Sequence, residues 1–281
     1  MIYRYRATLS GRLRIEEGIM SRQGTGEQNG DRSRNSEEGK VGDAAETRQG
    51  KEELGAYLFE QFRVPRGCLG YVVADSDTRL AALIDPEVEM VEPMLDYLFE
   101  HGLRPRYIVD THTHADHVSG ARELHEKTTA RLVMHEKAPA SGIDVRLRDG
   151  DRLYLGDLEM EFLYTPGHAK DLVSVLLPGK LLTADAMLIG SCGRTDLLNG
   201  DATQQYHTLY HTLKSLPDEL EVWPGHDYKG RSCSKLGDEK RTNDKLKFSG
   251  ENEFVHYMDR ENPGKLNPVY QLADSLKANM I

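Results

Sequence analysis

Thr111-His112-Thr113-His114-Ala115-Asp116-His117 places three imidazoles and a carboxylate within seven residues, directly after the apolar run Tyr107-Ile108-Val109. Histidines crowded beside an acid are suited to holding a metal ion, the commonest reason for such a cluster. The run ahead of them predicts a buried strand. The ligand-type residues then fall on the loop at its carboxyl end, where open α/β sheets place their chemistry.

Three downstream sites repeat the arrangement. Thr165-Pro166-Gly167-His168 follows an alternating strand predicted over Leu158 to Tyr164, and Asp185 follows the short apolar strand Lys180 to Ala184. Trp223-Pro224-Gly225-His226-Asp227 follows Leu220-Glu221-Val222. In each, Pro-Gly or a small residue makes the turn that exposes the ligand. Four such placements in order describe one rim of ligands along the edge of a sheet.

The pattern HxHxDH, then a distant His, an Asp and a last His, resembles the metallo-β-lactamase superfamily, with the match running from about Tyr57 onward. The resemblance implies an α/β fold, the αββα sandwich. Two mixed sheets lie face to face, helices cover the outer faces, and the metal sits at the shared edge. Strands alternate with helices along the chain, as an α/β fold requires. Strands at Leu69–Ala74 and Leu80–Ile84 read as a hairpin turning at Asp75-Ser76-Asp77. Val88 to His101 reads as a helix burying Val88, Val91, Leu95, Leu98 and Phe99 and closed by Gly102. A second helix is expected near Ser119, then strands at Arg131–Met134, Arg152–Leu155, Glu159–Tyr164 and Leu172–Leu177. Further helices are expected over Thr203–Leu216, Leu236–Leu246 and Glu251–Asp259, with Lys235 to Lys247 as a solvated, charge-alternating face.

Residues 1–54 read as a disordered or leader extension, and 55–281 as the metallo-β-lactamase-type domain. Ser21 to Lys51 is almost free of large apolar residues and cannot bury enough surface to offset its ordering entropy. The first fourteen residues carry four arginines and no acid, a weak likeness to a mitochondrial presequence. No apolar stretch approaches the roughly 20 residues that span a bilayer. The formal charge of -10 argues against a nucleic-acid groove or a membrane patch. Cys68, Cys192 and Cys233 make no disulfide framework and suit a reducing compartment. The expected location is therefore the cytoplasm, with the mitochondrial matrix as the alternative if the first residues are a presequence.

The ligand set admits two metal centres. His112, His114 and His168 could form one site and Asp116, His117 and His226 a second, with Asp185 bridging, as in a dinuclear hydrolase. Alternatively His112, His168 and Asp185 form the facial triad of a non-haem Fe(II) oxygenase. His114, Asp116, His117 and His226 then support and orient. Spacing does not choose between them.

Ser191-Cys192-Gly193-Arg194-Thr195-Asp196 and Gly225-His226-Asp227-Tyr228-Lys229-Gly230 resemble the CGRTD and HDYxG signatures of the persulfide dioxygenase branch. Ser234, Glu239 and Asn243 extend the similarity, and Ala278-Asn279-Met280 resembles that branch's carboxyl end. Membership implies one Fe(II) per chain. A thiol persulfide, typically glutathione persulfide, reacts with O2 and water to give sulfite and free thiol. The alternative is a dinuclear Zn or Fe thioesterase of the glyoxalase II type, whose Cys-Gly-Arg continues differently. Arg194 is a candidate to bind a substrate carboxylate bidentately, or else to tie its own loop to Asp196 or Asp185. Tyr228 could donate to substrate or to Asp185, or be a half-buried tyrosine with a wet hydroxyl. Cys192 reads as a small buried residue, and Cys68 and Cys233 as structural. His207 and His211 lack the glutamate of a zinc helix. The superfamily often dimerises, which admits a homodimer. Ala184 stands where the family usually has Gly, Ala169 where Thr is common, and Leu197 where Phe is usual.

Overall fold

The computed structural model describes residues 4–7, 13–16, 57–197, 199–261, 275 and 277–280. Its contacts group the chain into two units, Met1–Leu54 and Gly55–Ile281. In the first, β1 (Arg4–Ala7) and β2 (Leu13–Glu16) pair antiparallel with Arg4 opposite Glu16. Both strands fall within the 1–54 stretch read as a disordered or leader extension; the remainder of that stretch, Ser21 to Lys51 included, lies outside the described residues.

The second unit holds two six-stranded mixed sheets. One runs β3 (Tyr57–Arg63), β4 (Leu69–Asp75), β5 (Leu80–Ile84), β6 (Arg104–Val109), β7 (Arg131–His135), β8 (Val145–Leu147) in spatial order. The other runs β14 (Ser234–Lys235), β13 (Glu221–Pro224), β12 (Lys180–Ala184), β11 (Val173–Leu177), β10 (Leu158–Tyr164), β9 (Asp151–Leu155). Tyr71, Val73, Ile84 and Val109 from the first sheet pack on Leu155, Met160, Phe162 and Val175 from the second. The opposite face of the first sheet, through Val72, Leu83 and Ile108, is covered by α1 (Val91–Glu100) and α2 (Ala121–Thr128). The outer face of the second, through Leu181 and Val222, is covered by α3 (Ala202–His207), α4 (Leu236–Thr242) and α5 (Glu251–Glu261). This is the αββα sandwich. β4 is buried along its whole length because both of its faces are covered, which is why its sequence is continuously apolar rather than alternating. Each fully buried Leu, Ile or Phe in these layers contributes about 1.5–3 kcal/mol.

The elements depart from expectation in three places, each for a local reason. The first helix begins as a 3-10 turn, Val88–Met90, before α1. That entry rotates the buried stripe onto Met90, Val91, Met94 and Leu98, leaving Val88 and Phe99 exposed. Leu236–Leu246 is not one helix. Asn243 turns to extended backbone, and its side chain caps a following 3-10 turn at Lys245 N. Nor is that stretch simply a solvated face, since Glu239 and Asn243 are buried and bond to each other. Finally, α3 passes into a π-helical turn, Thr208–Thr212, and a 3-10 turn, Leu213–Ser215.

The hairpin between β4 and β5 forms as expected. Its turn is fastened by Asp75 Oδ1, which accepts from Thr78 N at 2.7 Å and Thr78 Oγ1 at 2.5 Å. Burial alone would raise the Asp75 carboxyl, but these donors outweigh it and hold it below its ordinary value. A depressed carboxyl stabilises the fold above its unfolded pKa and loses that contribution as pH falls through the folded one. Asp75→Ala is thus expected to cost about 1–2 kcal/mol near pH 7, a difference that narrows below about pH 4. Urea titrations at neutral and acid pH check it; a difference that grew on acidification would refute the assignment.

No described helix is long and apolar enough to cross a membrane.

Candidate metal centre

Every ligand-type residue singled out above lies on loops at one edge shared by the two sheets. The segment from Thr111 to His117 leaves the end of β6 in the first sheet. His168, Asp185 and His226 follow β10, β12 and β13 in the second. The start of β4 reaches the same rim, because Cys68 bridges antiparallel to His226 and Leu69 N donates to Gly225 O.

His112, His168 and Asp185, all buried, bring one ligand atom each to within 4.8 Å of one another. His168 Nε2 stands 3.4 Å from Asp185 Oδ2, and the His112 and His168 rings are perpendicular at 5.1 Å. His168 Nδ1 lies 2.8 Å from the Arg194 carbonyl. A carbonyl only accepts, so Nδ1 carries the proton and Nε2 keeps its lone pair for the rim. On the other side Thr111 Oγ1 lies 3.0 Å from His112 Nδ1. His112 Nε2 is buried with no hydrogen-bond partner among the described residues. Such an atom costs about 1–3 kcal/mol if left bare, and a cation at this point satisfies it. The donor set therefore fits a metal with two imidazoles, one carboxylate and open positions.

A second group, Cys68, Asp116, His117 and His226, also gathers its ligand atoms within 4.8 Å. Here the side chains bond one another. His226 Nδ1 is 2.7 Å from Asp185 Oδ1, and its Nε2 is 2.8 Å from Asp116 Oδ2. Burial opposes a charge on this ring, but the two carboxylates outweigh it and raise His226 well above its ordinary pKa. Burial likewise opposes the charged form of His117, yet Asp116 and Cys68 raise it to about 10. The same contacts overcome the burial cost of Asp185 and Asp116 and hold both carboxyls well below their usual range. Cys68, raised by burial but bonded to His117 and His226, comes down to about 7.

His114 lies beside His112, with ring centroids 4.2 Å apart, while its Nε2 faces Asp85 Oδ1 at 3.2 Å and it groups with Asp85 and Asp110; its Nδ1 is buried with no hydrogen-bond partner among the described residues. Arg194 forms a two-pronged pair with Asp196 at 2.6 and 2.7 Å. Tyr228 is 74 % exposed rather than half-buried, and its ring lies along that of His226 at 5.9 Å. Cys192 is buried, as expected.

Three participants escaped the sequence reading. Cys68 was assigned a structural role, yet its Sγ is 3.8 Å from His117 Nδ1. Asp85 accepts from Thr111 N and Thr111 Oγ1, and Asp171 from Thr113 N and Thr113 Oγ1. Asp85 follows the apolar strand β5 as Asp185 follows β12, so the signal that found one was present for the other.

Close packing explains the small residues of the rim. A Cβ on Gly193 would stand 2.1 Å from the Asp185 carbonyl oxygen and 2.9 Å from His168 Nδ1. Ala184 adopts a φ of +46°, a left-handed turn that costs a residue with a Cβ about 1–2 kcal/mol. The methyl group at this unusual position is thus accommodated, with strain, next to Asp185.

Residues 64–226 match the Metallo-beta-lactamase superfamily. Proteins named persulfide dioxygenase ETHE1, mitochondrial, from Bos taurus and Homo sapiens are each 34% identical to this chain, over 79% of it and 87% of their own length. The crystal structure of ETHE1 from Myxococcus xanthus superposes with a TM-score of 0.75 at 38% identity, covering 79% of this chain and 98% of that one. The mammalian relatives are mitochondrial by name, which overturns the cytoplasmic location inferred from composition. Cysteine usage registers only a reducing environment and does not distinguish one such compartment from another. With its fold, its rim of ligands and these similarities taken together, the chain belongs to the metallo-β-lactamase superfamily.

Proposed function

We propose that the chain is an Fe(II)-dependent thiol-persulfide dioxygenase. It converts glutathione persulfide, or the persulfide of a similar small thiol, with O2 and water to sulfite and the free thiol. The observation that carries this reading is the buried His112, His168 and Asp185 triad with His112 Nε2 unpartnered, in a chain 34% identical to proteins of that name. Iron held there supplies O2 activation and a common centre for both reactants. The substrate provides all the electrons, so no further redox cofactor is required.

The surrounding residues orient that triad. Thr111 fixes the His112 ring, the Arg194 carbonyl fixes His168, and His226 holds Asp185 through Oδ1. Both nitrogens of His226 face carboxylates, so the ring braces Asp185 and Asp116, the supporting role that a mononuclear centre gives it. A cavity of about 590 Å³ opens over His168 and Asp185, within the usual range for a small-molecule site. Arg194, Lys229 and Arg231 on its wall suit the carboxylates of a tripeptide thiol. Arg194 and Tyr228 are the residues we assign to substrate binding, with the Arg194–Asp196 pair presenting the guanidinium in a fixed plane. The compartment we assign is the mitochondrion of the mammalian relatives.

Anaerobic reconstitution with Fe(II), followed by addition of glutathione persulfide, tests the reading. One iron per chain and O2 uptake matched by sulfite are expected. Two metals per chain with hydrolysis of S-lactoylglutathione and no O2 uptake would instead make it a dinuclear thioesterase.

A further inference from the structure

The loop that carries His112, His114, Asp116 and His117 has no helix or strand of its own, so other side chains must hold its backbone in shape. Its first part is held from the sheets: Asp85 takes Thr111 and Asp171 takes Thr113. Its second part is held by one residue more than 160 positions away. Asn279 Nδ2 donates to the carbonyl oxygens of His114 and His117, both at 2.9 Å. Asn279 Oδ1 accepts from Ser119 N, also at 2.9 Å. Both donor hydrogens and the acceptor of a single amide are thus spent on a stretch of six residues. The partners fix which way the amide faces, since two carbonyls require the NH2 and the N–H requires the oxygen.

We infer that Asn279 is a positioning residue for the metal loop, setting the spacing between His114 and His117 and thereby the placement of His112 just before them and of Asp116 between them, which faces His226, the residue that holds Asp185. The inference rests on the reading that this loop holds a metal. The chemistry is specific to Asn. Asp has the shape but offers no donor to either carbonyl and sets a negative charge against both. Gln has the amide but carries it one methylene further out. A neighbouring bond, Ser141 N to Met280 O at 3.1 Å, lays the same segment against the loop before β8.

Co(II) is the probe of choice, because its visible absorption reports ligand geometry and its affinity is measured by chelator competition without turnover. Groups bonded directly to a metal ligand typically change affinity about 10–100-fold, and Asn279, acting through the loop backbone, is expected at the low end of that range. Asn279→Asp and Asn279→Gln are each expected to weaken Co(II) binding at least about tenfold and alter the absorption bands, while Lys277→Ala changes neither. Circular dichroism identifies which variants are folded, and the comparison is read on those. A folded variant with wild-type affinity and spectrum would overturn the inference, whatever its melting temperature. A drop in affinity with an unaltered spectrum, matched by Lys277→Ala, would do so too. Failure of the wild-type protein to consume O2 would sink the dioxygenase reading but leave this comparison intact, since Co(II) binding needs no catalysis.

Discussion

Asp185→Ala is expected to emerge from reconstitution and desalting with almost no iron, and with no O2 uptake on addition of persulfide. The carboxylate is the one anion of the triad; burial opposes its charge, but His226, His168 and His112 outweigh that cost and keep it ionised. Without it the site offers two neutral imidazoles, too little to balance a dication in a buried setting. The loss of affinity should exceed the roughly 10–100-fold typical of residues one step removed from a metal. Iron per chain, measured by a colorimetric chelator, checks it; retention of a full equivalent would remove Asp185 from the ligand set. His112→Ala should lose iron as fully, yet differ in metal-free stability. It deletes an Nε2 that has no partner and one contact with Thr111 Oγ1, whereas Asp185→Ala strips His226 of one of the two carboxylates that keep it charged. In the metal-free state, Asp185→Ala is therefore the less stable of the two.

The second large effect concerns a residue that never touches the triad. Asp85 is buried and serves Thr111 N at 2.7 Å, Thr111 Oγ1 at 2.8 Å and His114 Nε2 at 3.2 Å. Asp85→Ala would leave these three groups buried without that acceptor. Each stranded group costs about 1–3 kcal/mol, and broken buried pairs cost about 3–5 kcal/mol in all. Against a total stability of about 5–15 kcal/mol, Asp85→Ala should bring down the urea midpoint by a large fraction. A shift of less than about 1 kcal/mol would show that the loop finds other partners. Asp85→Asn should be milder, because Asn tolerates the φ of +48° found here and keeps an oxygen for Thr111.

The rim of the site was legible because turn chemistry is local. A short apolar run followed by Pro-Gly-His or a lone Asp announces a side chain exposed at a strand end, and His168, Asp185 and His226 are where that pattern places them. The α/β class followed from the alternation of strands and helices, and the two-sheet sandwich from the resemblance to the superfamily. What the sequence concealed was every contact made across long separations. Cys68 and His117 meet because the start of β4 and the loop after β6 reach the same rim, and no spacing in the chain encodes that. Asn279 reaches the metal loop by the same kind of return. The buried face of α1 was displaced because periodicity does not record a 3-10 entry, and one such turn shifts the stripe from Val88 and Phe99 to Met90 and Met94. Glu239 and Asn243 looked solvated among charged neighbours, yet they pin the loop at Gly190 and Ser191 from beneath.

The triad draws on both sheets: His112 extends from one, His168 and Asp185 from the other. A cation shared by them works as a rivet through two plates that otherwise meet by apolar packing and a few hydrogen bonds, such as Tyr71 Oη to the Pro224 carbonyl. Because the unfolded chain has no such site, occupancy feeds directly into resistance to denaturation, by about 2.7 kcal/mol when free metal stands at a hundred times its dissociation constant. Metal supply would then bear on how long each molecule survives as well as on how many molecules are competent.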